Sequence, residues 1–187
     1  MFLLWVKNSV MKPLFCGILL APETEVAHVT LQTLAAQLEA LIGRERDPLP
    51  NLANASALIF HSLEGLNWAG FYLYKGGELV LGPFQGKPAC VRIALERGVC
   101  GAAARQRRTL VVDDVHAFAG HIACDAASKS ELVVPLIHDG RLLGVLDVDS
   151  PMLARFSQTD VQALQELCRV LVLSCDWPVA LSSTGRG

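Results

Sequence analysis

The segment NWAGFYLYKGGELVLG, residues 67–82, constrains the fold more than any other part of this sequence. Aromatic and aliphatic runs flank the turn residues Lys75, Gly76 and Gly77. The two glycines can adopt the positive backbone angles that tight hairpin turns require. The segment therefore predicts a β-hairpin, to which the rest of the chain must be fitted.

Further strands are predicted downstream of this hairpin. The candidates span residues 89–94, 109–113, 131–137 and 142–149, which are rich in aliphatic residues and bounded by turn residues. His138, Asp139 and Gly140 join the last two candidates and predict a second hairpin. Between the strands, the segment GVCGAAARQ predicts a short helix.

Two helices are predicted before the first strand. Residues 23–42 carry apolar side chains at helical spacing and end at Gly43, and residues 51–66 repeat the pattern. The apolar positions of the first helix are Val26, Val29, Leu34, Leu38 and Leu41. Pro48 and Pro50 are expected to break the chain between the two helices.

A third long helix is predicted at the C-terminal end. Ser157 and Asp160 have the spacing of a helix cap, and the apolar side of the helix that follows includes Cys168 and Cys175. The order of elements predicts an α+β fold. It is a single domain with a largely antiparallel central β-sheet flanked by N- and C-terminal helices.

Length and composition limit the class of protein. A chain of 187 residues is long enough for one domain with a hydrophobic core. Hydrophobic residues at 52% and charged residues at 18% exclude a disordered chain, and a net charge of -2 offers no electrostatic basis for binding nucleic acid. We expect an uncertain extension over residues 1–22, the domain over residues 23–178 and a flexible tail over residues 179–187.

The apolar N-terminal extension raises the alternatives of a weak signal peptide or a membrane anchor. Its apolar core, from Leu14 to Ala21, is short, and Lys12 and Pro13 interrupt the sequence just before it. We therefore expect a packing or disordered extension, no membrane association and a cytoplasmic protein.

Three of the six cysteines are candidates for chemistry. Cys90 is expected to begin a strand, and Cys124 lies in a loop rich in small and polar residues. Cys100 lies at the start of the short helix, where backbone N–H groups and the helix dipole favour a thiolate, although it is equally consistent with a small packing residue. Cys168 and Cys175 are expected in the core.

A metal site built from these three cysteines is the first alternative to redox chemistry. His116 or His121 could serve as a fourth ligand. Zinc sites usually draw ligands from close pairs, and these cysteines are far apart in the sequence, so we expect no metal. A nucleophilic cysteine with a resolving thiol explains them better, because a sulfenic acid on one cysteine condenses with another.

Acidic and aromatic residues complete a candidate pocket. Asp147 and Asp149 are two apart in a strand and share a face, and the second hairpin can bring Glu131 beside them. Trp68 and Tyr72, four apart, also share a face. The alternatives are a solvated strand end for the aspartates and ordinary core packing for the aromatics. Together these groups predict a pocket for a small ligand with a cationic amine and an apolar or sulfur-containing end.

Several motifs carry a resemblance to a known family. They are NWAGFYLY, LGPFQGKPAC, RGVCGAAA, TLVVDDVHAFAGHIACDAASKSELVVP and DGRLLGVLDVDSP. In this order they resemble the free methionine-(R)-sulfoxide reductases, a family built on the GAF fold. The resemblance extends from about Asn51 to the final helix.

The resemblance implies a redox function for the cysteines. Cys124 corresponds to the nucleophile that attacks the sulfoxide sulfur, releases free methionine and becomes a sulfenic acid. Cys90 corresponds to the cysteine that resolves it as a disulfide, with Cys100 able to take part or to substitute. Thioredoxin, with NADPH as the ultimate source of its electrons, would reduce the disulfide. No bound cofactor is implied.

The resemblance also implies how the substrate is held. Trp68 and Tyr72 correspond to aromatic walls around the methyl-sulfur end, and Glu131, Asp147 and Asp149 to an acidic cluster that holds the amino group and the sulfoxide oxygen. The expected role is repair of oxidative damage to free methionine, and a homodimer remains open. The alternative function is a non-catalytic GAF sensor or small-ligand-binding module, against which the acidic cluster argues, because it would repel a nucleotide phosphate.

Overall fold

Four α-helices and a six-stranded sheet form the part of the chain that the computed structural model describes, residues 34–118, 120 and 126–178. The helices are α1 (residues 34–42), α2 (Pro48–Ser62), α3 (Gly98–Gln106) and α4 (Gln158–Ser174). The predicted extension over residues 1–22, the start of the first helix and the tail over residues 179–187 lie outside the described residues. The predicted α+β fold is confirmed.

The sheet is antiparallel throughout. Its strands are β1 (Trp68–Lys75), β2 (Glu78–Gly86), β3 (Arg92–Ala94), β4 (Leu110–Val112), β5 (Ser130–His138) and β6 (Arg141–Ser150). They lie in the order β3-β2-β1-β6-β5-β4, so the predicted hairpins β1–β2 and β5–β6 meet at the centre of the sheet. Cys90 precedes β3 and does not begin it, which corrects the prediction, because β3 pairs with β2 only from Arg92.

Two-residue turns close both hairpins. Gly76 and Gly77 have φ angles of 61° and 94°, and Asp139 and Gly140 have φ angles of 48° and 73°. Two consecutive residues with positive φ are the pattern of the turn whose twist matches antiparallel strands. Lys75 pairs with Glu78 and therefore belongs to β1.

The helix boundaries correct two details of the prediction. Pro48 does not break the chain but occupies the first position of α2, where no backbone N–H is needed, and the Asp47 side chain caps the helix by accepting from Leu49 N–H. In α1, Leu41 is 55% exposed, whereas Ile42 is buried beside Leu38. The apolar stripe of α1 therefore ends one residue later than predicted.

The two faces of the sheet carry different partners. Helices α1, α2 and α4 cover one face and form the larger core with apolar residues such as Phe71, Leu132 and Leu146. Helix α4 starts at the predicted cap, where Ser157 and Asp160 exchange hydrogen bonds. Helix α3 packs on the other face with Tyr72 and Val133. The part of this face that α3 leaves uncovered holds the candidate site.

Within the described ranges, no helix has the length and hydropathy needed to cross a membrane.

Two of the cysteines have the structural position that was expected of them. Cys168 lies buried in α4, and Cys175 is buried at its C-cap, where its sulfur accepts a hydrogen bond from the Asn51 side chain. Neither faces the sheet surface on which the candidate site lies.

Candidate active site

A pocket opens on the sheet face that carries α3. Strands β1, β5 and β6 form its floor, the first residues of α3 form one side, and the loop after β2, residues 87–89, forms another. The pocket is open to solvent on one side, and its space of about 560 Å³ includes that open region. Five of the predicted site residues, Trp68, Tyr72, Glu131, Asp147 and Asp149, line it together with Cys100.

The aromatic wall of the pocket comes from the central hairpin. The rings of Trp68 and Tyr72 stack with centroids 5.9 Å apart, and Phe84 of β2 stacks on the other side of Trp68 at 5.3 Å. Gly70 permits this, because a Cβ there would lie only 2.3 Å from the Cβ of Phe84. The Trp68 indole N–H also donates to the Lys87 carbonyl, which fixes the loop that leads to Cys90.

The acidic wall is built by strand register. Glu131 of β5 and Trp68 of β1 both pair with Asp149 of β6, so side chains from three strands meet on one face. Asp147 lies two residues earlier on the same face. Glu131 and Asp147 are only 6% and 7% exposed, and Asp149 is half-buried at the pocket.

Cys100 completes a compact group with two of these carboxyls. Its thiol donates to Glu131 Oε1 at 3.9 Å. The Cys100 sulfur and one carboxylate oxygen from each of Glu131 and Asp147 all lie within 4.8 Å of one another. Asp147 Oδ1 is buried without a hydrogen-bond partner among the described residues. The pocket therefore presents buried acceptors that an incoming donor or cation can satisfy.

Burial raises the pKa values of the acidic groups in this cluster. It raises the pKa of Asp147 to about 6, although hydrogen bonds from Cys100 and Glu131 lower it in part. Burial, followed by the charge of Asp147, raises the pKa of Glu131 well above its ordinary value. Burial, reinforced by the same charge, also raises the pKa of the Tyr72 phenol. Near neutral pH the cluster thus holds a protonated carboxylic acid beside an ionised carboxylate.

Of the two alternatives for Cys100, the structure favours the buried packing residue over a thiolate. The thiol is 3% exposed, and burial, followed by the charges of Asp147 and Glu131, raises its pKa well above the ordinary value. Burial and the charges of the two carboxyls outweigh the helix dipole at this position. Cys100 is a free, protonated thiol.

The other two candidate cysteines, Cys90 and Cys124, differ from Cys100, which is a free thiol in the pocket. Cys90 packs at the edge of the cluster that contains Trp68 and Tyr72, and it is disulfide-bonded. Its partner is none of Cys100, Cys168 and Cys175, which are free. Cys124 lies outside the described residues, as does His121. A metal site of the kind first considered, with three cysteines, cannot include Cys90 while it is bonded.

Some pocket residues were not predicted from the sequence. Phe84, Ser128 and the loop residues 87–89 contribute to the site, and Ser128 accepts a hydrogen bond from the Asn67 side chain at 2.9 Å. The spacing of Phe84 from the hairpin turn could have indicated it, because pairing with Gly70 places it beside Trp68. No comparable local signal marks Ser128.

Comparison with known proteins identifies the family. The GAF domain model matches residues 24–174 of this chain. The free methionine-R-sulfoxide reductase of Escherichia coli strain K12 is 52% identical over 134 residues, which are 72% of this chain and 81% of that protein.

Solved structures agree with this assignment. The free methionine-R-sulfoxide reductase of Neisseria meningitidis, solved in complex with its substrate, has a TM-score of 0.76 and 44% identity, over 82% of this chain and 91% of its own. A structure described as a GAF sensor protein, from Burkholderia vietnamiensis, has a TM-score of 0.77 and 60% identity, over 80% of this chain and 95% of its own. The chain therefore belongs to the GAF domain family, in the group that contains the free methionine-R-sulfoxide reductases.

Proposed function

We propose that this protein is an oxidoreductase that reduces free L-methionine-(R)-sulfoxide to L-methionine and is recycled by thioredoxin. The observation that carries the proposal is the pocket itself, in which buried acidic groups face a stacked aromatic wall. A free amino acid sulfoxide carries the two features that such a pocket selects, an ammonium group and an apolar sulfur end. The relatives named for this activity, at 52% and 44% identity, support it.

The acidic wall has two roles in this proposal. Asp147 and Asp149 accept hydrogen bonds from the substrate ammonium, which gives the unpartnered Asp147 Oδ1 its donor. Glu131, whose raised pKa keeps it protonated, supplies a proton to the sulfoxide oxygen as the sulfur–oxygen bond breaks. The rings of Trp68 and Tyr72 hold the methyl-sulfur end.

The chemistry proceeds through the cysteines. The Cys124 sulfur attacks the sulfoxide sulfur, the oxygen is transferred to Cys124 as a sulfenic acid, and methionine leaves with its sulfur reduced by two electrons. The Cys90 thiol then attacks the sulfenic acid, and a disulfide forms with loss of water. Thioredoxin, reduced ultimately by NADPH, supplies two electrons and two protons to restore both thiols.

Two observations support Cys124 as the partner of Cys90. Cys90 is disulfide-bonded and the other cysteines among the described residues are free, which leaves Cys124 and Cys16, the two cysteines outside the described residues. Gly120 and Ser128 lie four residues before and after Cys124. Gly120 accepts a hydrogen bond from Gly98, a pocket residue, and Ser128 lines the pocket directly. The described chain is therefore in contact with the pocket region at Gly120 and lines the pocket again at Ser128.

Cys100 is less suited to resolve the sulfenic acid first. Its raised pKa leaves it protonated, and the thiolate is the form that attacks. We therefore assign the first resolving step to Cys90 and leave Cys100 as a substitute. Recycling by thioredoxin requires a reducing compartment, which supports a cytoplasmic location for the protein.

A coupled assay tests the proposed activity. Purified protein with thioredoxin, thioredoxin reductase and NADPH is given free methionine sulfoxide of each sulfur epimer and a peptide that contains oxidised methionine. We expect NADPH consumption only with the free R epimer. Binding of the free R epimer without NADPH consumption would instead identify a sensor, the alternative function.

Cysteine variants test the order of the steps. We expect Cys124→Ser to abolish turnover, because a serine hydroxyl is far less nucleophilic than a thiolate at neutral pH. Cys90→Ser should release methionine once, in an amount equal to the enzyme, and then stop. Unchanged steady-state turnover of Cys90→Ser would assign the resolving step to Cys100, and Cys175→Ser serves as the matched control at a buried thiol away from the pocket.

A further inference from the structure

The group formed by Cys100, Glu131 and Asp147 has a chemistry that the proposed reaction does not exhaust. Its members come from α3, β5 and β6, so three separate elements hold their positions. They are 3%, 6% and 7% exposed, and their donor atoms lie within 4.8 Å of one another. The substrate ammonium needs only oxygen acceptors. The Cys100 sulfur in the same group is an additional potential metal ligand, which an ammonium group does not need.

The orphaned oxygen of Asp147 shows that the group is incomplete by itself. Asp147 Oδ1 is buried and has no hydrogen-bond partner within the described part of the chain. A buried acceptor without a donor costs about 1 to 3 kcal/mol. Either a hydrogen-bond donor or a cation at this position removes that cost, and a cation that also binds sulfur would use all three side chains.

We propose that this group binds Zn²⁺, with Cys100 Sγ and one oxygen each from Glu131 and Asp147 as protein ligands. Zinc binds cysteine sulfur at about 2.3 Å and carboxylate oxygen at about 2.0 to 2.2 Å in tetrahedral geometry. Ligand atoms around such an ion lie about 3.3 to 3.7 Å apart, by trigonometry on those bond lengths. The 3.9 Å between Cys100 Sγ and Glu131 Oε1 is close to this, so small side-chain rotations complete the site.

The sulfur ligand selects zinc over the commoner divalent cations. One thiolate and two carboxylates offset the two positive charges of the ion, and their protons pass to the buffer on binding. Mg²⁺ and Ca²⁺ prefer oxygen ligands only and gain nothing from the sulfur. Three protein ligands leave the fourth position of zinc to water on the pocket side.

Zinc at this position occupies the subsite that the substrate ammonium needs, so we expect it to inhibit. This inhibitory consequence rests on the proposed function, whereas the binding of zinc does not. The proposed site does not use the other polar side chains that line the pocket, which are Tyr72, Lys87, Ser128 and Asp149.

Calorimetric titration of the full-length protein in its disulfide form with Zn²⁺ tests the binding. We expect one ion per chain, a loss of at least tenfold in affinity for Cys100→Ser and for Asp147→Asn, and no binding of Mg²⁺ at the same concentration. Cys175→Ser, which alters another buried free thiol, should bind as the wild type does. Zinc binding that is unchanged in Cys100→Ser would overturn the assignment.

A spectroscopic arm avoids any dependence on the folding of the variants. Co²⁺ added to the wild-type protein in place of zinc should produce a sulfur-to-metal charge-transfer band, and excess Zn²⁺ should remove it. A Co²⁺ complex of the disulfide form without that band would overturn the Cys100 ligand. In the coupled assay, Zn²⁺ should raise the apparent KM without changing kcat, and binding without such competition would overturn the shared subsite alone.

Discussion

Asp147 has the most demanding environment of any single residue in the site. It lies on the central strand β6, where every neighbour is fixed by pairing on both sides, and its pKa is raised to about 6 by burial. A residue chosen only for stability at this position would be apolar, because a buried carboxyl with an orphaned oxygen weakens the fold. The carboxyl is therefore best explained by a ligand.

The first prediction concerns Asp147→Asn. The amide keeps the size of the side chain but removes its charge, so the substrate ammonium loses an ionic partner. We expect kcat/KM for free methionine sulfoxide to fall by at least about tenfold, since one buried charged hydrogen bond contributes about 1.5 to 3 kcal/mol. The melting temperature should stay the same or rise, because crowding of the acids is relieved. Steady-state kinetics and thermal unfolding measure the two effects.

Glu166→Gln is the matched control for this prediction. Glu166 is exposed on α4 and pairs only with Arg169 three residues later, so its loss should leave both activity and stability nearly unchanged. If Asp147→Asn lowered the melting temperature and left kcat/KM intact, the carboxyl would be structural.

The second prediction follows from the direction of the pKa shift of Asp147. Its pKa rises from 3.8 to about 6 on folding, so the folded state binds the proton more tightly than the unfolded state. Its contribution to stability is fully present below about pH 4 and is lost as the pH rises through about 6. Glu131, Asp149, Cys100 and Tyr72 line the same pocket, and hydrogen bonds from Cys100 and Glu131 lower the pKa of Asp147 in part.

Urea unfolding at pH 5 and pH 8 measures this contribution as a difference. Relative to the wild type, Asp147→Asn should be more stable at pH 8 than at pH 5, because only the wild type must ionise a buried acid there. Titrations of groups that do not interact with Asp147 cancel in the difference, whereas that of Glu131, which interacts with it, contributes to it. A stability difference that is the same at both pH values would contradict a raised pKa at Asp147.

Secondary-structure elements show which parts of the site the sequence could predict. The β5–β6 hairpin is local, and its turn residues predict that Glu131 and Asp149 lie on neighbouring strands. Trp68 meets Asp149 through the pairing of β1 with β6, which joins the two hairpins and has no local signal in the sequence. The contribution of Cys100 was harder to predict, because its burial against Glu131 depends on how α3 packs on strands far away in the sequence. The sequence therefore left both a thiolate and a small packing residue open for Cys100. The start of α2 was missed because Asp47 and Pro48 act as a start signal, not as a break.

The third prediction tests the junction of the two hairpins. Gly144 of β6 pairs with Leu73 of β1, and a Cβ at Gly144 would lie 2.2 Å from the Tyr72 carbonyl oxygen. Gly144→Ala must therefore push β1 and β6 apart beneath the pocket. We expect a loss of about 1 to 3 kcal/mol in the free energy of unfolding and a marked loss of kcat/KM.

Gly76→Ala provides the comparison for Gly144→Ala. Its added Cβ meets nothing within 4 Å, but its φ of 61° strains an alanine by about 1 kcal/mol. It should therefore lower stability by a similar amount while leaving kcat/KM unchanged, because the turn lies at the far end of the hairpin. Equal losses of activity in the two variants would show that the pocket responds to stability alone.

At the scale of the whole molecule, the two faces of the sheet have different roles. Three helices seal the face that holds the larger core, so the opposite face can carry buried acids without depending on them for stability. Helix α3 and the loop after β2 enclose those acids from two sides, and the Trp68 indole holds the loop in place. This enclosure restricts which ligands can reach the acidic groups.

The last prediction concerns what this enclosure excludes. A substrate whose amine is acylated, such as N-acetylmethionine sulfoxide or oxidised methionine within a protein, has no ammonium charge and has added bulk at that position. Asp147 and Asp149 would lose the donor that the free ammonium supplies, at about 1 to 3 kcal/mol for each group. For two groups, kcat/KM should fall by about 30-fold to 10⁴-fold relative to free methionine sulfoxide. Parallel assays of the free and N-acetylated R epimers measure this ratio. Comparable values would contradict the role of the acidic wall, and with it the proposal that the protein acts on the free amino acid.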